Sequence, residues 1–163
     1  MDDPGVVAAF WVLTVTAVGS ALMVAAVRNL LHAVLFLVLS FIGVAGLYIT
    51  LSADFVAMVQ VLIYAGAIAV LMLFAIMLTP RAARDNADGI FWVPALVLAG
   101  LVATTISLIA TRTEWAVSDR GPFSQTASVI GEALLDPFVL PFEIASVVLV
   151  AAMIGAIVIV RED

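Results

Sequence analysis

Five stretches free of Asp, Glu, Lys, Arg and His dominate the chain, at about residues 5–27, 33–53, 55–79, 90–111 and 144–160. A helix needs about 20 apolar residues to cross the hydrocarbon core of a bilayer. The first four runs have that length, and the fifth reaches it when Phe138–Phe142 are included. Only helices and closed barrels satisfy their backbone hydrogen bonds in lipid, and barrel strands alternate apolar with polar residues over about ten positions. These runs are apolar on every face. The expected fold is therefore an all-α integral membrane protein, a single polytopic membrane domain over residues 1–163 with five transmembrane helices at about 5–27, 31–52, 55–79, 90–111 and 138–160.

Composition narrows the function. Hydrophobic residues make up 66% of the chain and charged residues 11%, against roughly half and a quarter in soluble domains. A soluble enzyme is excluded, and five crossings leave no length for a catalytic globular domain. With no cysteine and one histidine, His32, the chain offers no disulfide, no iron–sulfur ligation and no metal constellation. No catalytic, cofactor-binding or metal site is expected within it. The formal charge is −6, and the arginines are too scattered for a nucleic-acid surface. Met1-Asp2-Asp3 lacks the basic start of a signal peptide, so the first run reads as a retained span.

The connections are unequal. Arg28-Asn29-Leu30 joins the first two spans and Ser52-Ala53-Asp54 the next two, so the first three form one tightly packed unit. Pro80, lacking an N–H donor, ends the third span, and a polar turn runs from Thr79 to Gly89. Residues 112–137 form the extramembrane loop, and Val129, Ile130, Ala133 and Leu134 recur there at the spacing of a short interfacial helix. With the N-terminus outside, Arg28, Arg81, Arg84 and Arg161 lie inside against Arg112 and Arg120 outside, so the positive-inside rule favours N-out and C-in.

Small residues mark faces for close helix contact: Ala17/Ala21/Ala25 on the first span, Ala95/Ala99/Ala103 on the fourth, and Ala151/Gly155 with Ala152/Ala156 on the fifth. Such faces suit a subunit of a larger assembly. No Asp, Glu, Lys, Arg or His lies inside any of the five runs, so the chain lacks the mid-membrane relay that a proton pump requires. Asp54 and Glu143 sit at span ends. They read as a cap of the third span and a first-turn carboxylate behind Pro141, or as the mouth of a proton or water path. His32, four residues after Arg28, points with it toward the inner surface, to a lipid headgroup or a soluble partner. Gln60 and Tyr64 form a polar stripe in the third span beside the bulk-free Ala65, Gly66 and Ala67. A mid-helix glycine weakens the ladder by roughly 1 kcal/mol relative to alanine, so a bend or π-bulge fits here, as does a packing notch for a neighbouring helix.

Arg28-Asn29-Leu30-Leu31-His32-Ala33, then Phe55, Gln60, Tyr64-Ala65-Gly66-Ala67-Ile68, Val70-Leu71, Leu73-Phe74 and Met77-Leu78 resemble subunit J of bacterial NADH-quinone oxidoreductase, chain 6 in mitochondria. The likeness continues at Gly131, Leu134 and Leu140-Pro141-Phe142-Glu143-Ile144 through Ala152-Met153-Ile154-Gly155-Ala156, and so covers the first three spans and the fifth. The resemblance implies a membrane-arm subunit of the respiratory complex in the bacterial inner membrane, which couples quinone reduction to proton translocation. Flavin mononucleotide, iron–sulfur clusters and quinone would then be bound by other subunits, and those subunits and the lipid bilayer would be the partners. It further implies a π-bulge at Tyr64, Ala65 and Gly66 whose exchange with regular helix accompanies switching of the complex, with Gln60 and Ala67 alongside. Two other readings stand beside it: a small subunit of a related cation/proton antiporter or membrane-bound hydrogenase, and a passive scaffold.

Overall fold

The computed structural model describes residues 3–79, 92–115 and 125–160. Five helices long and apolar enough to span a membrane follow one another: α1 (Pro4–Ala26), α2 (Leu30–Thr50), α3 (Asp54–Leu78), α4 (Trp92–Arg112) and, after the short α5 (Thr126–Leu135), α6 (Val139–Val160). The protein is a multi-pass all-α membrane protein. Helix α5 falls where the loop periodicity placed a short helix. The polar turn after the third span, including Pro80, Arg81 and Arg84, lies outside the described residues, as do Arg120 and Arg161.

Capping explains the tight start. The Asp3 side chain accepts the Gly5 N–H at 2.9 Å, and Pro4 stands at the first helical position, where its missing donor costs nothing. Helix α1 ends at Ala26 with Val27 as its cap, and Asn29 Oδ1 accepts the Leu31 N–H at 3.0 Å to open α2. Helix α2 ends with Ser52 at φ 58°, its N–H bonded to the Ile49 carbonyl and that of Ala53 to the Tyr48 carbonyl. This is the paired-bond stop that usually takes glycine at the left-handed position.

Packing centres on α2, which contacts α1 on one flank and α3 on the other, while α1 and α3 do not meet among the described residues. At the α1–α2 crossing the backbones come close. A Cβ added at Gly43 would lie 3.0 Å from the Ala17 Cβ and 3.1 Å from its Cα. The Ala17 carbonyl accepts both Ser40 Oγ across the interface and Ser20 Oγ from its own helix, each at 3.1 Å. Ala17 and Ser20 are buried, whereas Ala21 and Ala25 are exposed. The packed face of α1 therefore turns from Ala17 to Ser20, the residue that can share a carbonyl, instead of continuing along the alanines.

The other spans differ. Helix α4 touches no other described element, and α6 touches only α5. Neither buries any part of its apolar window among the described residues, so the alanine and glycine faces of the fourth and fifth spans have no described span against them. Because spans alternate in direction, Asp3, Asp54, Glu114, Glu132, Asp136 and Glu143 all fall on the side of the N-terminus. Among the described residues, Arg112 is the arginine on that side and Arg28 the one opposite.

Candidate functional site in the third span

Helix α3 is not a uniform α-helix. It opens with an α-helical turn and a half over Asp54–Val59, passes into π-helix over Gln60–Ile68, and returns to α-helix over Ala69–Leu78. The Ala69 N–H reaches back to the Tyr64 carbonyl, five residues away, which is the bond pattern of a π-turn. Mid-helix π segments are rare in proteins, and they concentrate at functional sites.

The residues explain where the ladder loosens. Tyr64-Ala65-Gly66-Ala67 combines a glycine, which gains least from helix, with neighbours whose side chains end at Cβ. A Cβ added at Gly66 would meet a single group within 4 Å, the Val61 carbonyl oxygen at 3.3 Å, five residues back in the same helix. No described neighbouring helix presses on Gly66. Among the described residues the glycine therefore meets only its own helix, and a packing notch at this position would have to serve a helix of another chain. Ala65 is half-buried and Ala67 exposed.

Gln60 and Tyr64 part company. Gln60 is 8% exposed, between the buried Ala57 and Ala69 positions that line the α2-facing side, while Tyr64 is 44% exposed. The Tyr64 ring stands edge-on to Phe41 of α2, with centroids 5.6 Å apart and planes at 71°. Such pairs are worth about 0.5–1.5 kcal/mol beyond area burial. Neither polar group has a hydrogen-bonding partner among the described residues, so the stripe of two is not an internal network. Phe41 was not foreseen as part of this site, because no pattern in α2 reveals which of its aromatics lies opposite Tyr64.

The charged candidates are placed differently from their expected roles. The cap of α3 is Ala53, which has no side-chain bond to offer. Asp54 is the first residue of the helix and is exposed, so it favours the helix dipole without filling a cap. Glu143 lies beyond the first turn, since α6 begins at Val139, with the Phe142 N–H already bonded to Phe138. It cannot satisfy the free N–H groups of the helix start. Arg28 sits in the non-helical link between α1 and α2, and His32 in the first turn of α2. Both are exposed at the same end of the bundle, but the helical spacing assumed between them does not exist. Among the described residues no three His, Asp or Glu gather as a metal site.

Residues 20–159 match the model of the family described as NADH-ubiquinone/plastoquinone oxidoreductase chain 6. The chain belongs to this family. It is 40% identical over 161 residues to the NAD(P)H-quinone oxidoreductase chain 6 of Leptolyngbya boryana, covering 96% of this chain and 80% of that one. The corresponding chloroplastic subunit 6 of Physcomitrium patens is 34% identical over 166 residues, covering 94% and 83%. The F(420)H(2) dehydrogenase subunit J of Methanosarcina mazei is 36% identical over 173 residues, covering all of this chain and 98% of its own. The π segment of α3 lies wholly within the stretch matched by the chain 6 family model.

Proposed function

We propose that this chain is a membrane-arm subunit of a proton-translocating quinone oxidoreductase in a bacterial inner membrane. In this reading it transmits the energy of quinone reduction to proton-moving neighbours through a change in α3. The observation that carries the reading is the π-helix over Gln60–Ile68 inside an otherwise α-helical span. A π-turn holds one residue more than an α-turn, so closing it rotates everything beyond it by about 100° and shifts it by about 1.5 Å. Ala69–Leu78 would then present a different face to whatever lies beside it. Membership of the chain 6 family supports a place beside other subunits of the complex. The middle of each span carries no Asp, Glu, Lys, Arg or His to relay protons, which fits a coupling part better than a pump. Relatives in NAD(P)H and F(420)H(2) enzymes share this subunit, as expected if flavin, iron–sulfur clusters, quinone and the electron donor are handled by other chains. Asp54 and Glu143 on one surface, and Arg28 and His32 on the other, are the positions where neighbouring subunits or headgroups would meet it.

Gly66→Val tests the coupling role. A β-branched side chain against the Val61 carbonyl disfavours the π form, and a bias of about 1.4 kcal/mol changes the population ratio tenfold. The complex should assemble at near-normal levels, with quinone reduction or its coupling to proton movement reduced. Wild-type turnover and coupling in the assembled variant would leave the passive scaffold reading in its place. Orientation is tested on the cysteine-free background: Ser118→Cys should react with an impermeant thiol reagent in intact cells and Ala83→Cys should not, and the reverse pattern would place the N-terminus inside.

A further inference from the structure

Beside the π segment, between the end of α2 and the start of α3, runs a groove of about 550 Å³. Its floor is the buried Ala45 and Ala57, its walls are Ile49, Met58, Val61 and Leu62, and Asp54 stands at one end. From Asp54 to Leu62 the helix rises about 12 Å. Half of a hydrocarbon core is about 15 Å deep. The groove therefore begins at headgroup level and ends within one leaflet. One leaflet's acyl chain fits both the depth and the apolar walls.

The headgroup follows from charge. Asp54 is exposed, and among the described residues no cation pairs with it. The described carboxylates all share its side of the membrane, with Arg112 the described arginine there. An anionic headgroup is repelled, and a primary ammonium both neutralises the carboxylate and donates hydrogen bonds to it. We propose that this groove seats an acyl chain of a phosphatidylethanolamine-type lipid from the leaflet on the N-terminal side, its ammonium group on Asp54. The lipid would fill the angle between α2 and α3 directly beside Val61, in the first turn of the π segment.

The test uses the intact complex in vesicles containing phospholipids with a photoreactive acyl chain and an ethanolamine, choline or glycerol headgroup. Adducts are mapped by peptide mass spectrometry. Labelling of residues 45–62 should favour ethanolamine over glycerol by about fivefold, the ratio that roughly 1 kcal/mol of exposed ion pairing gives. Asp54→Asn should abolish the preference while keeping the labelling. Val61→Trp, from an exposed wall, should fill the groove and cut labelling by every headgroup without loss of assembly. Equal labelling by all three lipids in the wild type would overturn the headgroup assignment. A disulfide or cross-link from Met58→Cys to another subunit would overturn the lipid itself, because a protein helix would then cover the groove.

Discussion

Helices α1 to α3 supply each other's neighbours, whereas α4 and α6 contact no other span among the described residues. The first group is joined by three-residue links, shares a carbonyl between Ser20 and Ser40, and brings Gly43 against the backbone of Ala17. The second group carries equally small residues but offers open space beside them: nothing lies within 4 Å of a Cβ added at Gly100 or Gly155. Small residues in a span thus have two uses. They close an internal contact where the partner is next in sequence, as at Gly43, and beside α4 and α6 they leave open space.

The strongest way to break this contrast is a pair of glycine substitutions. Gly43→Val should force α1 and α2 apart at a cost of about 1–3 kcal/mol or more, seen as a lower unfolding temperature of the isolated subunit in detergent. Gly155→Val should leave the isolated subunit unchanged and reduce its incorporation into the complex on native gels. If both variants fail alike in the isolated subunit, α6 has an internal neighbour and the contrast is wrong.

A smaller effect of opposite sign sharpens the picture of the packed half. Ser52 holds a left-handed conformation that glycine adopts without strain. Ser52→Gly should raise stability by up to about 1 kcal/mol, measured by the same thermal assay. No change would mean that the flexibility glycine adds to the unfolded chain cancels the gain. The smallest effect is expected at Glu143, which makes no cap: Glu143→Gln should alter stability by less than about 0.5 kcal/mol and leave proton movement by the complex intact. Loss of proton movement with assembly preserved would put this carboxylate on a proton path.

The spans were legible because an uninterrupted apolar run has no other stable state in lipid, and the ends of the first three helices lie within two residues of where charges and polar links begin. The loosened part of α3 was legible for a local reason, since a glycine between two alanines weakens a helix wherever it occurs. What depends on rotation was not legible. The buried face of α1 turns to Ser20 instead of Ala21 because the carbonyl of Ala17 is shared with Ser40, a residue 20 or more positions away. Helix caps failed for a related reason: Asp54 and Glu143 were placed by their nearness to the ends of apolar runs, but Ala53 and Val139 set the helix starts. An offset of one residue at Asp54, and of four from Val139 to Glu143, takes each carboxylate out of the expected role.

The two short links have a topogenic consequence. Three residues extend at most about 11 Å, far less than the roughly 30 Å of a hydrocarbon core. Neither residues 27–29 nor residues 51–53 could follow a span that reversed its direction alone. During insertion α1, α2 and α3 therefore choose their orientation once and together, so that Arg28, within the first link, weighs on the orientation of three spans at the same time.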